Sequence, residues 1–161
     1  MNKISLVIPS KNSYSQLSEL LTSISKWSLF PNEIIVVDSS IEKFDLNSQI
    51  KDFCDENKIK YTFIQKNNLY PGHARNIGVK KSQFNFIAFL DVNTLPSNEC
   101  MGNSFEKLIK SKSDGIWGST YYFAANEKEK IIRAATYGIN PLQTLPGSIF
   151  SMKCNVGDAV N

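Results

Sequence analysis

Four short runs of apolar, β-rich residues, each followed by a segment with helical spacing, constrain the fold of this chain more than any other feature. "ISLVIP" is stopped by Pro9, and Tyr14, Leu17, Leu20, Leu21, Ile24 and Trp27 then recur at helical intervals, with Ser13 and Gln16 as a capping box. "EIIVVDSS" is continuously apolar up to Asp38, and Leu46, Ile50, Phe53 and Cys54 mark one face of a second helix. "KYTFIQ" reads as a third strand, Pro71-Gly72 opens a short helix through Lys81, and "FNFIAFLD" reads as a fourth strand. Met101, Phe105, Leu108 and Ile109 predict the helix after it. Strands buried on both faces and alternating with amphipathic helices call for a parallel sheet, because each parallel crossover needs a long connection. The expected fold class is therefore α/β, a mostly parallel, Rossmann-like sheet with helices on both faces. Further along, "GIWGSTYYF" predicts a fifth strand, "NEKEKIIRAATYG" a helix ending at Gly138, and "GSIFSMK" a short last strand.

With 161 residues, 42% of them hydrophobic and 20% charged, the chain can bury one substantial core, so a single domain over 1–161 is expected. The 18 basic residues stand against 15 acidic ones and are spread along the sequence. No dense Lys/Arg cluster is present to track a phosphate backbone, which argues against a nucleic-acid partner. Cys54, Cys100 and Cys154 are odd in number and lack ligand spacing, which argues against a disulfide framework or a zinc site and fits a reducing compartment. No run approaches the roughly 18 apolar residues of a membrane span, and the N-terminus lacks a signal-peptide pattern. The expected location is cytoplasmic, including the inner face of the membrane; no oligomeric state is implied.

In open sheets of this kind, ligands bind in the crevice beyond the carboxyl ends of the strands. Those ends carry Ser10, Lys11 and Asn12 after the first strand, Asp38, Ser39 and Ser40 after the second, and Asp91 and Asn93 after the fourth. Neither GxGxxG nor GxxxxGK[ST] follows a strand, so phosphates would have to be neutralised by another device. A divalent ion on an acidic strand end is one, because a hard cation takes carboxylate, amide and phosphate oxygens into one shell.

"VIPSKN", "IIVVDSS", "GHARNIGVKKSQFNFIAFLDVN" and "GSIFSMK" occur in an order that resembles family 2 glycosyltransferases of the GT-A fold, over nearly the whole chain. The resemblance implies transfer of a sugar from a nucleotide diphosphate sugar to an acceptor hydroxyl on a glycan or lipid-linked acceptor, in polysaccharide or glycoconjugate synthesis. It further implies a single displacement with inversion, assisted by Mn²⁺ or Mg²⁺. Pro9, Ser10 and Lys11 resemble the first-strand loop that lies along the nucleoside. Asp38 with Ser39 resembles the paired acids that contact the base, here reduced to one acid. Arg75 matches the basic residue near the donor, Asp91 the first acid of the DxD motif, and Asn93 the place of the last. Asn still offers a carbonyl oxygen, but the site carries one negative charge fewer, so metal is expected to bind well only with the nucleotide present.

In the family the catalytic base sits beyond the "GSIFSMK"-like strand. Asp158 is the only acid after Glu129, and "NVGDAVN" does not match that motif, so no base is assigned. The chain is expected to be the donor-binding portion, ending before the acceptor and base segment. Two other functions fit fewer features: a non-catalytic nucleotide-sugar-binding relative, and a sugar nucleotidyltransferase, against which the missing Gly-rich basic loop after "LVIPS" argues.

Each site residue also has a plainer role. Asp91 could cap the turn or the helix near Ser97 and Asn98, and Asn93 could be a turn residue. His73 is expected to be an exposed turn histidine, Lys80 and Lys81 an exposed helix face, and Trp27 and Phe105 core. Trp117, Tyr121, Tyr122 and Phe123 suit either a core strand or a sugar-stacking pocket.

Overall fold

The computed structural model describes residues 2–42 and 48–118, together with 122–124, 128, 144–146 and 151–152. They fall into two compact units, one of residues 1–25 and 30–93, the other of 26–29 and 94–161.

In the first unit, β1 (Ile4–Ser10), β2 (Glu33–Asp38), β3 (Lys60–Gln65) and β4 (Phe86–Phe89) form a parallel sheet in the order β3-β2-β1-β4. The connections hold α1 (Tyr14–Ser23) with a 3-10 turn (Ile24–Lys26), α2 (Ser48–Glu56) and α3 (Pro71–Lys81). Every residue of β1 and β2 is buried, as continuous apolar runs require, whereas the outer strands β3 and β4 are only partly buried. Alternation along the strands sends Val7, Ile35 and Val37 to one face, where they form a cluster with Ala74 of α3.

Pro9 does not end β1, contrary to the expectation from sequence. The carbonyl of Val7 accepts from Leu90 N (3.2 Å), so Pro9, two residues on, directs its missing N–H toward the same side, past the end of β4. Ser13 sits at the N-cap of α1, but its hydroxyl donates to the Lys11 carbonyl (2.8 Å), so the expected capping box does not form. The amino edge of the sheet is tied by Glu33, which is buried and accepts from Ser5 Oγ (2.5 Å) and Gln83 N (2.6 Å).

α3 lies against β1 at Gly78, where an added Cβ would stand 2.3 Å from Val7 Cγ1. Helix propensity favours Gly78→Ala by up to about 1 kcal/mol, but overpacking costs typically 1–3 kcal/mol. Gly78→Ala is therefore expected to lower unfolding free energy in urea, and Val7→Ala in the same chain to cost less than the sum of the two single changes.

The second unit contains α4 (Cys100–Ser111) and two short parallel pairs. β5 (Leu95–Pro96) pairs with β8 (Ser151–Met152), and β6 (Tyr122–Ala124) with β7 (Thr144–Pro146). β5 and β7 were not expected, being two or three residues long and containing proline. Of the fifth predicted strand, Tyr122 and Phe123 fall in β6 and 119–121 lie outside the described residues, and β8 is the described part of "GSIFSMK". Lys128 is helical; the rest of the predicted helix ending at Gly138 lies outside the described residues. Trp27 is buried, but Phe105 only partly.

Cys54 is buried and free. Among the described residues no helix is long and apolar enough to cross a membrane.

Candidate functional site

The chain leaves β1 for β2 on one side, and β4 returns on the other, so the strand order reverses at the β1–β4 junction. In an open parallel sheet this reversal creates a crevice at the carboxyl edge. Ser10 ends β1 there, and Asp91 follows two residues after β4. Ser10 is 5% exposed, and its Oγ is buried without a hydrogen-bond partner. Three buried hydroxyls among the described residues lack a partner, those of Ser10, Tyr61 and Ser113, and of these Ser10 is the one that ends a central strand. Pro9 is buried in the strand, and Lys11 beyond it is exposed.

The loops after β1 and β2 are stitched together. Ser39 donates through its backbone N–H (2.8 Å) and its hydroxyl (3.3 Å) to the Ser10 carbonyl. Asn12, held at φ 50°, donates its N–H to Ser40 Oγ (2.7 Å). Ser40 Oγ in turn donates to Asp38 Oδ1 (2.9 Å), and Ser40 N to Asp38 Oδ2 (3.1 Å). Asp38 is fully buried, with Tyr14 Oη 3.4 Å from Oδ2. Tyr14 Oη also donates to the Glu42 carbonyl, and Gln65 Nε2 donates to the carbonyls of Ser40 (3.1 Å) and Glu42 (2.6 Å). Asp38 and Ser39 thus serve first to fix the loop. Nearby, burial pushes the Tyr61 hydroxyl pKa up, with the charges of Cys54 and Asp38 adding to the effect.

On the β4 side, Arg75 of α3 forms an ion pair with Asp91 through Nη2 and Oδ1. The pair joins residues 16 positions apart, and the two side chains are 34% and 61% exposed. Val92 is buried between exposed Asp91 and exposed Asn93, so D-x-N spacing leaves both oxygen-bearing side chains in solvent. The turn at 92–93 accommodates both the turn reading and the ligand reading of Asn93. The alternative role of Asp91 as a cap is not what is found: its partner is Arg75, and α4 begins later, at Cys100, with Glu99 at its N-cap and no side-chain cap bond. His73, Lys80 and Lys81 are exposed, as expected, and Trp117 is 54% exposed. Tyr121 and Asp158 lie outside the described residues, as do the side chains of Tyr122 and Phe123.

The family model for Glycosyl transferase family 2 matches residues 5–153. The chain belongs to this family. An uncharacterized glycosyltransferase of Rickettsia bellii (strain RML369-C) is 31% identical over 139 residues, covering 84% of this chain and 19% of the relative. Poly(ribitol-phosphate) beta-N-acetylglucosaminyltransferase TarS of Staphylococcus aureus (strain Mu50 / ATCC 700699) is 26% identical over 117 residues, 71% of this chain and 20% of the relative. The crystal structure of S. aureus TarS 1-349 in complex with UDP-GlcNAc matches with a TM-score of 0.58 and 25% identity, over 76% of this chain and 35% of that one. The chain thus spans about a fifth of these two curated relatives. The α/β fold read from the strand–helix alternation, with its mostly parallel sheet, is the GT-A fold shared by this glycosyltransferase family.

Tyr14, Ser40 and Gln65 were not among the expected site residues, although they hold the family's second-strand loop. Ser40 was visible as a polar strand-end residue. Tyr14 was hidden in the apolar stripe of α1, because its ring fits the stripe while its hydroxyl does the polar work.

For a divalent cation, the chain offers the Asp91 carboxylate and the Asn93 amide, both hard oxygen donors suited to Mg²⁺ or Mn²⁺. Among the described residues no group of three His, Cys, Asp or Glu could hold a metal. Two such donors fit a hard cation only if other ligands would supply the rest of its shell.

Proposed function

We propose that this chain is the donor-binding part of a glycosyltransferase that moves a sugar from a nucleoside diphosphate sugar to an acceptor hydroxyl. One observation carries the reading: at the carboxyl edge, where the strand order reverses, β1 ends on a buried, unpartnered Ser10 hydroxyl and Asp91, two residues after β4, is paired with Arg75 of α3. In this account Pro9, Ser10 and Lys11 lie along the nucleoside, and Asp38 and Ser39 hold the loop that meets the base. Arg75 pairs with a phosphate through its planar fork, while Asp91 and Asn93 face the diphosphate with a cation between. When bound, the cation would offset charge developing on the leaving diphosphate.

A UDP-linked donor is favoured by the likeness to the TarS complex with UDP-GlcNAc. The acceptor is a glycan or lipid-linked hydroxyl in polysaccharide or glycoconjugate synthesis, approached from the cytoplasm, and displacement proceeds with inversion. Calorimetric titration with UDP-, GDP- and dTDP-sugars in Mn²⁺ tests the reading. Saturable binding of a UDP-sugar is expected, and heats indistinguishable from dilution for all three would overturn it.

The amide at position 93 makes a separate prediction. Asn93→Asp restores a second carboxylate, so Mn²⁺ binding to the nucleotide-free protein is expected to tighten roughly fivefold to tenfold. Paramagnetic resonance of free Mn²⁺ measures it; unchanged affinity would remove Asn93 from the cation's shell.

A further inference from the structure

Arg75–Asp91 is unlike the other ion pair among the described residues. Lys110–Glu106 is an i,i+4 pair along one helix, whereas Arg75–Asp91 joins α3 to the turn after β4. The carboxylate assigned to cation binding therefore already has a cation, supplied by the chain. A guanidinium and a divalent ion compete for the same oxygens, and a guanidinium without its carboxylate seeks another oxyanion.

We propose that Arg75 is the resident counter-ion of Asp91 and that it surrenders Asp91 to a divalent cation when a nucleoside diphosphate offers it a second anion. This rests on the donor-site reading and adds a coupling within it. Arg75 opposes the cation in the empty site and favours the nucleotide, so the two ligands bind with positive coupling. The coupling comes from the exchange of partners by Arg75, in addition to any direct contact between cation and phosphate. It is separate from the missing charge at Asn93, because removing Arg75 leaves that amide in place.

The two roles of Arg75 predict opposite signs. Arg75→Gln frees Asp91, so Mn²⁺ binding to the nucleotide-free chain tightens, by about two- to fivefold for a half-exposed pair. The same change removes a phosphate partner, so UDP binding in the absence of metal weakens.

The test is Mn²⁺ binding by paramagnetic resonance and UDP binding by calorimetry, each with and without the other ligand. Wild type, Arg75→Gln and Arg75→Met are compared, with circular dichroism to show that all are folded. Arg75→Met, similar in reach and uncharged, should repeat the glutamine result and exclude a new amide ligand as its cause. Tighter Mn²⁺ binding in both variants, weaker metal-free UDP binding and a smaller coupling between the ligands are expected. Equal or weaker Mn²⁺ binding in the variants overturns the proposal, even where UDP binds normally. Loss of UDP binding in wild type as well, with or without Mn²⁺, would instead overturn the donor-site reading.

Discussion

Asp91→Ala is expected to weaken binding of UDP-GlcNAc with Mn²⁺ by tenfold or more, while moving the thermal midpoint by no more than about 2 °C. The side chain is 61% exposed, and its recorded contact is the ion pair with Arg75. Exposed pairs contribute about 0–1 kcal/mol, and surface changes of this kind usually stay within about 0.5 kcal/mol, so the fold should hardly notice the loss. Binding should notice it strongly, because the only carboxylate assigned to the cation disappears and Asn93 alone is a poor ligand for a hard ion. Asp91→Asn should fall between wild type and alanine, since it keeps an oxygen but no charge. Calorimetry in Mn²⁺ and thermal melts without ligand separate the two effects. A large loss of stability would return Asp91 to the plain role of a structural strand-end acid.

Glu33→Ala is expected to do the reverse, costing about 2–4 kcal/mol of unfolding free energy in urea with little change in ligand affinity of the folded protein. Glu33 is 1% exposed and receives Ser5 Oγ and Gln83 N, joining β1, β2 and the segment after α3. Alanine would leave both donors buried or half-buried without their acceptor and open a cavity, two losses that add. Glu33→Gln keeps an acceptor oxygen and should cost less. Ligand binding should survive because Glu33 and Asp38 start and end β2, five residue steps or roughly 16 Å apart. On the proposed reading, one edge of the sheet would carry stability and the other the ligand. A Glu33→Ala protein as stable as wild type would contradict this division.

The carboxyl edge of the sheet was legible in the sequence. The apolar runs ending in Ser10, Asp38 and Asp91 located the carboxyl edge before any contact was known, because continuous burial is what a central parallel strand demands. The order of strands was not legible: nothing in "FNFIAFLD" says that it pairs with β1 rather than β3, yet that pairing sets the point where the strand order reverses. The Arg75–Asp91 pair was hidden for a related reason, since both residues were singled out but their meeting depends on α3 crossing β1 at Gly78. Glu33 reads in the sequence as a charged residue opening a strand; its role as a buried anchor depends on the hydrogen bonds from Ser5 Oγ and Gln83 N, which only the folded chain brings to it. Short pairs such as β5–β8 left no signal because two residues cannot show a period.

The most direct test of the donor-site account is a map of backbone amide shifts in ¹⁵N-labelled protein on addition of UDP with Mg²⁺. The account predicts shifts concentrated at the carboxyl edge, in Ser10 to Asn12, Asp38 to Ser40, Arg75 and Asp91 to Asn93, with Glu33, Lys60 and Gln83 at the amino edge unmoved. Shifts centred on the amino edge, or none at saturating UDP, would contradict it.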